Sequence, residues 1–176
     1  LQLDPDQIDA LLQLGATQAE RGESTEAEES LRAALQIDAT DPMVNRELGV
    51  LLMEQGQVHQ AIEHLHMAAA KLEDDVEILV DLGMAYIQAG FYDKAEEFLR
   101  DALAAEPDNL HAHYNLAAIY ASRERTEQAL THLRRAASLG AHRVRDWLIE
   151  DRMFDKLRSD RRFTQLLEGR NPPDVG

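Results

Sequence analysis

Seven histidines and thirty-three carboxylates are the side chains of this 176-residue sequence with the most chemistry to offer. A helical metal site needs ligands three or four residues apart, so that they share a face. His64 and His66 stand two apart, as do His111 and His113, so each pair diverges and neither is expected to chelate. His132 has no histidine or carboxylate at a useful spacing, and His59 and His142 have one carboxylate each and no third ligand. There is no cysteine, which excludes disulfides and thiolate metal sites. No glycine-rich phosphate loop, metalloprotease histidine motif or nucleophile elbow occurs. No carboxylate pair is marked as buried or close. The expectation is a chain that is not an enzyme, with no catalytic residues, no metal and no cofactor.

The elements that position these side chains follow a fixed step. Ala27, Ala61, Ala95 and Ala129 recur every thirty-four residues. Leu31, Leu65, Leu99 and Leu133 follow them, then Ala34, Ala68, Ala102 and Ala136. Upstream lie Leu14-Gly15, Leu48-Gly49, Leu82-Gly83 and Leu116-Ala117. Small residues on facing helices permit close approach, and leucine fills the groove beside them. A period of this length reads as stacked supersecondary units.

The third unit carries the fullest pattern: Leu82-Gly83, Tyr86, Gly90, Tyr92, Ala95, Leu99, Ala102 and Pro107. This resembles the tetratricopeptide repeat family, and the match covers residues 8 to about 141. The resemblance implies an all-α, right-handed α-solenoid of four antiparallel helical hairpins. The boundaries expected are 8–41, 42–75, 76–109 and 110–141. Residues 142–168, with Phe154, Leu157, Arg158, Asp160, Arg162, Phe163, Leu166 and Leu167, resemble a segment common after bacterial arrays of this family. The period is expected to stop past Gly140, and this segment to form capping helices over the apolar end of the last repeat. Trp147, Leu148, Phe154, Leu157, Phe163, Leu166 and Leu167 are suited to that. Residues 169–176 read as a disordered tail. Residues 1–7 read as the tail of a truncated upstream repeat, because Pro5 lies three periods before Pro107.

Several local features depart from the regular pattern. Gln18 stands where an aromatic or large apolar residue is usual. Ser24 or Thr25 is suited to cap the second helix, and Asp41 and Asn109 to cap later ones. Arg123-Glu124-Arg125 replaces the glycine turn, which demands either a strained backbone or a reshaped turn.

Net charge is −15, and it is uneven. Residues 1–140 hold 26 acidic against 10 basic residues, and residues 141–176 hold 7 against 8. An acidic array repels nucleic acid and anionic membrane and attracts basic segments, while also conferring solubility. No apolar run is long enough to insert in a membrane as a helix. Localisation stays open, with the cytoplasm favoured.

In this family the first helix of each hairpin lines a concave groove. The positions opposite the Leu-Gly face give an apolar stripe of Leu12, Val50, Met53, Val80, Met84, Ile87 and Tyr114. Glu20, Glu47, Glu54, Glu77 and Asp81 flank it, with His111 and Asn115 alongside. Family members that clamp acidic chaperone tails use basic residues here. This chain has Leu12, Ala16, Glu47, Glu77 and Asp81 at those places, which speaks against that role. The reading is a protein–protein interaction scaffold, its partner a protein or peptide segment with apolar anchors and basic flanks. The alternatives are a homo-oligomerising assembly module and a regulatory or targeting domain of a larger enzyme or transport complex.

Overall fold

The computed structural model describes residues 5–169, so residues 1–4 of the expected repeat tail and 170–176 of the expected disordered tail lie outside the described residues. The chain divides into two units, residues 1–91 and 92–176.

The first unit holds α1 (Pro5–Glu20), α2 (Ser24–Ile37), α3 (Pro42–Glu54), α4 (Val58–Ala69) and α5 (Val76–Gln88). Short turns join α1 to α2 and α3 to α4 as hairpins, and α1, α3 and α5 pack in succession. Close packing explains the small residues. A Cβ at Gly49 would stand 2.8 Å from Leu65 Cγ, and one at Gly15 would stand 2.8 Å from Leu31 Cγ. Ala27 and Ala61 are fully buried on the facing helices. Gln18 is accommodated by a polar pair, with Ser30 Oγ donating to its Oε1 at 2.7 Å.

Helix boundaries follow local chemistry. Asp41 accepts from Val44 N at 2.9 Å and Asp75 from Ile78 N at 3.1 Å, satisfying donors that the first turn leaves free. Serine capping of α2 does not occur: Glu23 is the cap residue and makes no side-chain cap bond, while Ser24 has already entered the helix. At the end of α3, Gly56 (φ 75°) closes the helix, with Gln57 N donating to Leu52 O at 2.8 Å.

The second unit holds α6 (Tyr92–Ala105), α7 (Leu110–Ser122), α8 (Thr126–Glu150), a 3-10 helix (Arg152–Leu157) and α9 (Arg161–Leu167). Asn109 caps α7 through Ala112 N at 2.9 Å. The turn between α7 and α8 keeps the closing hydrogen bond, Arg125 N to Tyr120 O at 2.9 Å, with Glu124 at φ 61°. The backbone is therefore strained rather than reshaped, at a cost of about 1 kcal/mol. Within α8 the helix breaks at Gly140 (φ −164°, ψ 68°), directly over Leu110.

Beyond that break the Leu-small pair is absent, but part of the spacing persists. Phe154 lies thirty-four residues after Tyr120, as Tyr120 does after Tyr86. Phe163 and Leu167 likewise continue the Ala129 and Leu133 positions. The phase is hidden because the stretch matching α7, residues 144–156, ends in the 3-10 helix, and phenylalanine rather than alanine fills the space at 163. Phe154 and Phe163 are fully buried, their ring centroids 6.0 Å apart. Leu148, Leu157 and Leu166 are buried, while Trp147 and Leu167 are half-buried.

A candidate partner-binding cleft

Four of the expected groove residues come together between α1 and α3. Glu20, Glu47, Val50 and Glu54 line a cleft of about 220 Å³ with Gly15, Ala16, Ala19, Leu31 and Leu51. The small residues of α1 leave the hollow, and Val50 and Leu51 give it an apolar wall. Glu47 and Glu54 are seven residues apart on α3, two turns or about 10.5 Å along one face. Among the described residues none of Glu20, Glu47 and Glu54 forms an ion pair. Leu12 is half-buried on α1 and lies outside this lining. Ala16 was read as a groove position, whereas Gly15, Ala19, Leu31 and Leu51 are lining residues that the groove reading left out. The signal was smallness beside Glu20 for Gly15 and Ala19, and adjacency to Val50 for Leu51.

The expected acid flank on α5 is different. Arg46, on α3, donates from Nε to Asp81 Oδ2 at 2.7 Å and from Nη1 to Glu77 Oε2 at 2.6 Å. Burial pushes the Asp81 carboxyl up, and the Arg46 guanidinium opposes that shift only in part. Asp81 and Glu77 thus answer an internal cation, and Asp81 is no free anchor for a partner's base. Met53 and Val80 are buried at 8% and 6% exposure and correct the stripe inward. The reason is that adjacent first helices pack on one another there. Met84 remains 40% exposed on α5, and Ile87 is half-buried.

In the second unit, the expected groove residues of α7 are partly covered. Tyr114 is 8% exposed, and its hydroxyl donates to Asp151 Oδ2 at 3.0 Å. Its ring meets Trp147 edge-on at 4.9 Å and Phe154 at 5.4 Å. Burial, then the Asp151 carboxylate, raises the Tyr114 hydroxyl pKa. The His111 ring lies tilted against Trp147 with centroids 5.1 Å apart, and Asn115 is half-buried. Tyr114 is therefore largely covered, because Trp147 and Phe154 pack on its ring.

One histidine expectation is overturned. His132 does have a partner: its Nδ1 lies 2.9 Å from Nδ1 of His113, across the α7–α8 hairpin. His113 Nε2 reaches the Pro107 carbonyl at 3.0 Å and must donate there, so His113 Nδ1 accepts and His132 Nδ1 donates. Burial, followed by His113 and Arg100 and against Glu96, pushes His132 down to about 4. Sixty-eight residues earlier the same positions hold Asn45 and His64, 2.9 Å apart, with Asn45 Nδ2 donating to the Ala39 carbonyl at 3.0 Å. Both pairs fasten the loop before a first helix. Among the described residues no group of three or more histidines and carboxylates is placed to hold a metal ion.

Helical hairpins on a thirty-four-residue step, closed on small residues, define a helical-repeat protein. Comparison with family models is specific: tetratricopeptide repeat models match residues 8–41, 52–105 and 80–143. The chain is a tetratricopeptide repeat protein. No curated protein sequence matches it. Among solved structures, MamA shares 24% identity over 80% of this chain and 82% of its own, with a TM-score of 0.70. MamA from residue 41 to the end, from Desulfovibrio magneticus RS-1, shares 21% over 75% of each chain, TM-score 0.69. Pseudomonas aeruginosa PilF shares 22% over 96% of this chain and 78% of its own, TM-score 0.74. At these identities the likeness establishes the fold alone: all-α, in the class of these solenoids.

Proposed function

We propose that this protein is a non-catalytic interaction scaffold that binds a partner segment in the α1–α3 cleft. The observation that carries this reading is the cleft itself. An apolar hollow is rimmed by Glu20, Glu47 and Glu54, which among the described residues form no direct ion pair, while the neighbouring Glu77 and Asp81 do. A segment with one apolar side chain between two bases satisfies both parts: the apolar group leaves water, and the bases meet carboxylates at a partly desolvated rim. The surplus of acid over residues 1–140 steers such a segment toward the array.

The test uses a synthetic helix-forming peptide with one leucine midway between two arginines seven residues apart. Calorimetry at two salt concentrations should show binding that weakens as salt rises. Glu47→Gln with Glu54→Gln should weaken it by about tenfold, equivalent to about 1.4 kcal/mol. Equal binding of the matched peptide with glutamates in place of the arginines would sink the reading.

A further inference from the structure

The α1–α3 cleft has a counterpart one step along the chain, between α3 and α5. The hairpins behind the two interfaces share one geometry. A Cβ on Gly15 would stand 2.8 Å from Leu31 Cγ and 3.4 Å from the Ala27 carbonyl oxygen, and one on Gly49 would stand 2.8 Å from Leu65 Cγ and 3.3 Å from that of Ala61. Their closing turns match as well, with Glu23 N donating to Gln18 O at 2.9 Å and Gln57 N to Leu52 O at 2.8 Å. Residues thirty-four apart on these hairpins therefore occupy corresponding places in space.

Two side chains that complete the α3–α5 interface are missing from the cleft. Arg46 bonds to Asp81 and Glu77 across that interface. Its counterpart on α1 is Leu12, and the counterpart of Asp81 is Glu47, which among the described residues forms no ion pair. Met53 is 8% exposed, and Gln88 of α5 donates from Nε2 to its carbonyl oxygen at 3.3 Å. The counterpart of Met53 is Ala19, which ends at Cβ and lines the hollow. The counterpart of Gln88 is Glu54, where an amide donor gives way to a carboxylate that only accepts. The cleft thus lacks a cation and an unbranched apolar chain at the places where the next interface has both.

We propose that the cleft is an open copy of the α3–α5 interface, and that its partner is a basic amphipathic helix supplying what α1 omits: an arginine to Glu47 and a methionine to the hollow beside Ala19. The proposal rests on the cleft reading above and names the side chains that fill it. Methionine suits the hollow because Met53 lies at the corresponding place, and its flexible thioether follows an irregular wall. Arginine suits Glu47 because the Arg46 guanidinium reaches two carboxylates at the corresponding place. Arg46 and Met53 stand seven apart on α3, so a helical partner offers the pair at the same spacing, about 10.5 Å.

The experiment has two arms. In the first, calorimetry follows the full chain binding an alanine-rich helical peptide with one arginine and one methionine seven residues apart. Valine for the methionine, or glutamine for the arginine, should each raise the dissociation constant by at least about fivefold. In the second arm the missing side chains are restored in the chain itself. Leu12→Arg with Ala19→Met should raise the melting temperature by about 2–4 °C and weaken binding of the arginine–methionine peptide by at least about tenfold, because the cleft is then closed from within. A melting temperature that stays level or falls would overturn the open-copy proposal, since the restored side chains then find no seat. Equal binding of the methionine and valine peptides would overturn it as well. In either case, binding of the leucine–arginine peptide that still weakens with Glu47→Gln and Glu54→Gln leaves the cleft reading standing. Absence of binding by every peptide would remove both.

Discussion

Two faces at equivalent positions have opposite fates. On α3 the face reads Arg46, Glu47, Val50 and Glu54; sixty-eight residues later, on α7, it reads Tyr114, Asn115, Ala118 and Ser122. The first position does the same job in both. Arg46 reaches Asp81 and Tyr114 reaches Asp151, each bonding to a carboxylate on a later element. The remaining positions decide the outcome. Glutamates and a valine leave α3 with a cleft, whereas α7 carries neutral, mostly small residues there, and the later segment packs beside Tyr114. The lesson is that one position per repeat maintains stacking, and its neighbours set whether the surface is available.

The largest effect that can test this contrast is at Phe154. Phe154→Ala should cost about 3–5 kcal/mol in denaturant unfolding, because a fully buried ring is lost from a packed site. Val50→Ala, on the open face, should cost less than about 1 kcal/mol. Equal losses would erase the distinction between covered and open surface.

Arg46→Met should come next, at about 2–3 kcal/mol, since it strands a carboxylate whose side chain is 13% exposed. Restoration by the second change Asp81→Asn, measured in a double-mutant cycle, would sharpen the assignment of Arg46 to stacking.

Acid should then act selectively on the second unit. His132 is held down to about 4, against an ordinary value near 6.5. Above pH 6.5 the folded and unfolded chains are both neutral there and the site contributes its full stability. As pH falls from 6.5 toward 4 the unfolded chain takes the proton first, so stability drops, by an amount on the order of 2 kcal/mol for this group. His64 is shifted the same way, with burial as the first cause. Its bond to Asn45 uses a ring N–H that survives protonation, whereas the His113–His132 bond needs one bare nitrogen. Histidine resonances followed by NMR against pH should show His132 titrating lowest of the set. Titration of His132 near 6.5 would break this part of the comparison.

The smallest effect on folding is expected at the open rim. Glu47→Gln with Glu54→Gln should alter stability by less than about 0.5 kcal/mol while weakening peptide binding. A large stability change would mean that these carboxylates serve the fold.

The repeat frame was legible in the sequence because its cause is steric and local. Gly15, Gly49 and the buried alanines must be small, and that requirement recurs visibly. Caps at Asp41 and Asn109 were legible for the same reason: one side chain serves one turn. The surface was read less well. Helical spacing placed Tyr114 and Val80 on an outer face, but spacing says nothing about what packs on that face later. Arg46 neighbours the groove residue Glu47 in sequence, yet its own partners lie thirty-one and thirty-five residues away on another helix. The His113–His132 bond joins residues nineteen apart across a hairpin, where a search by helix face does not look. Its trace was present, since Asn45 and His64 repeat the same separation.

The preserved phase of Phe154 and Phe163 has a consequence for how such a chain can change in length. A gain or loss of thirty-four residues between equivalent positions leaves both rings the same distance from whatever repeat precedes them. The terminal segment then meets a hairpin of unchanged geometry, carrying a tyrosine or its substitute at the matching place. Number of units and design of the terminus are thus independent variables in this architecture. Unequal recombination could lengthen or shorten the chain without inventing a new ending, provided it moved in whole periods.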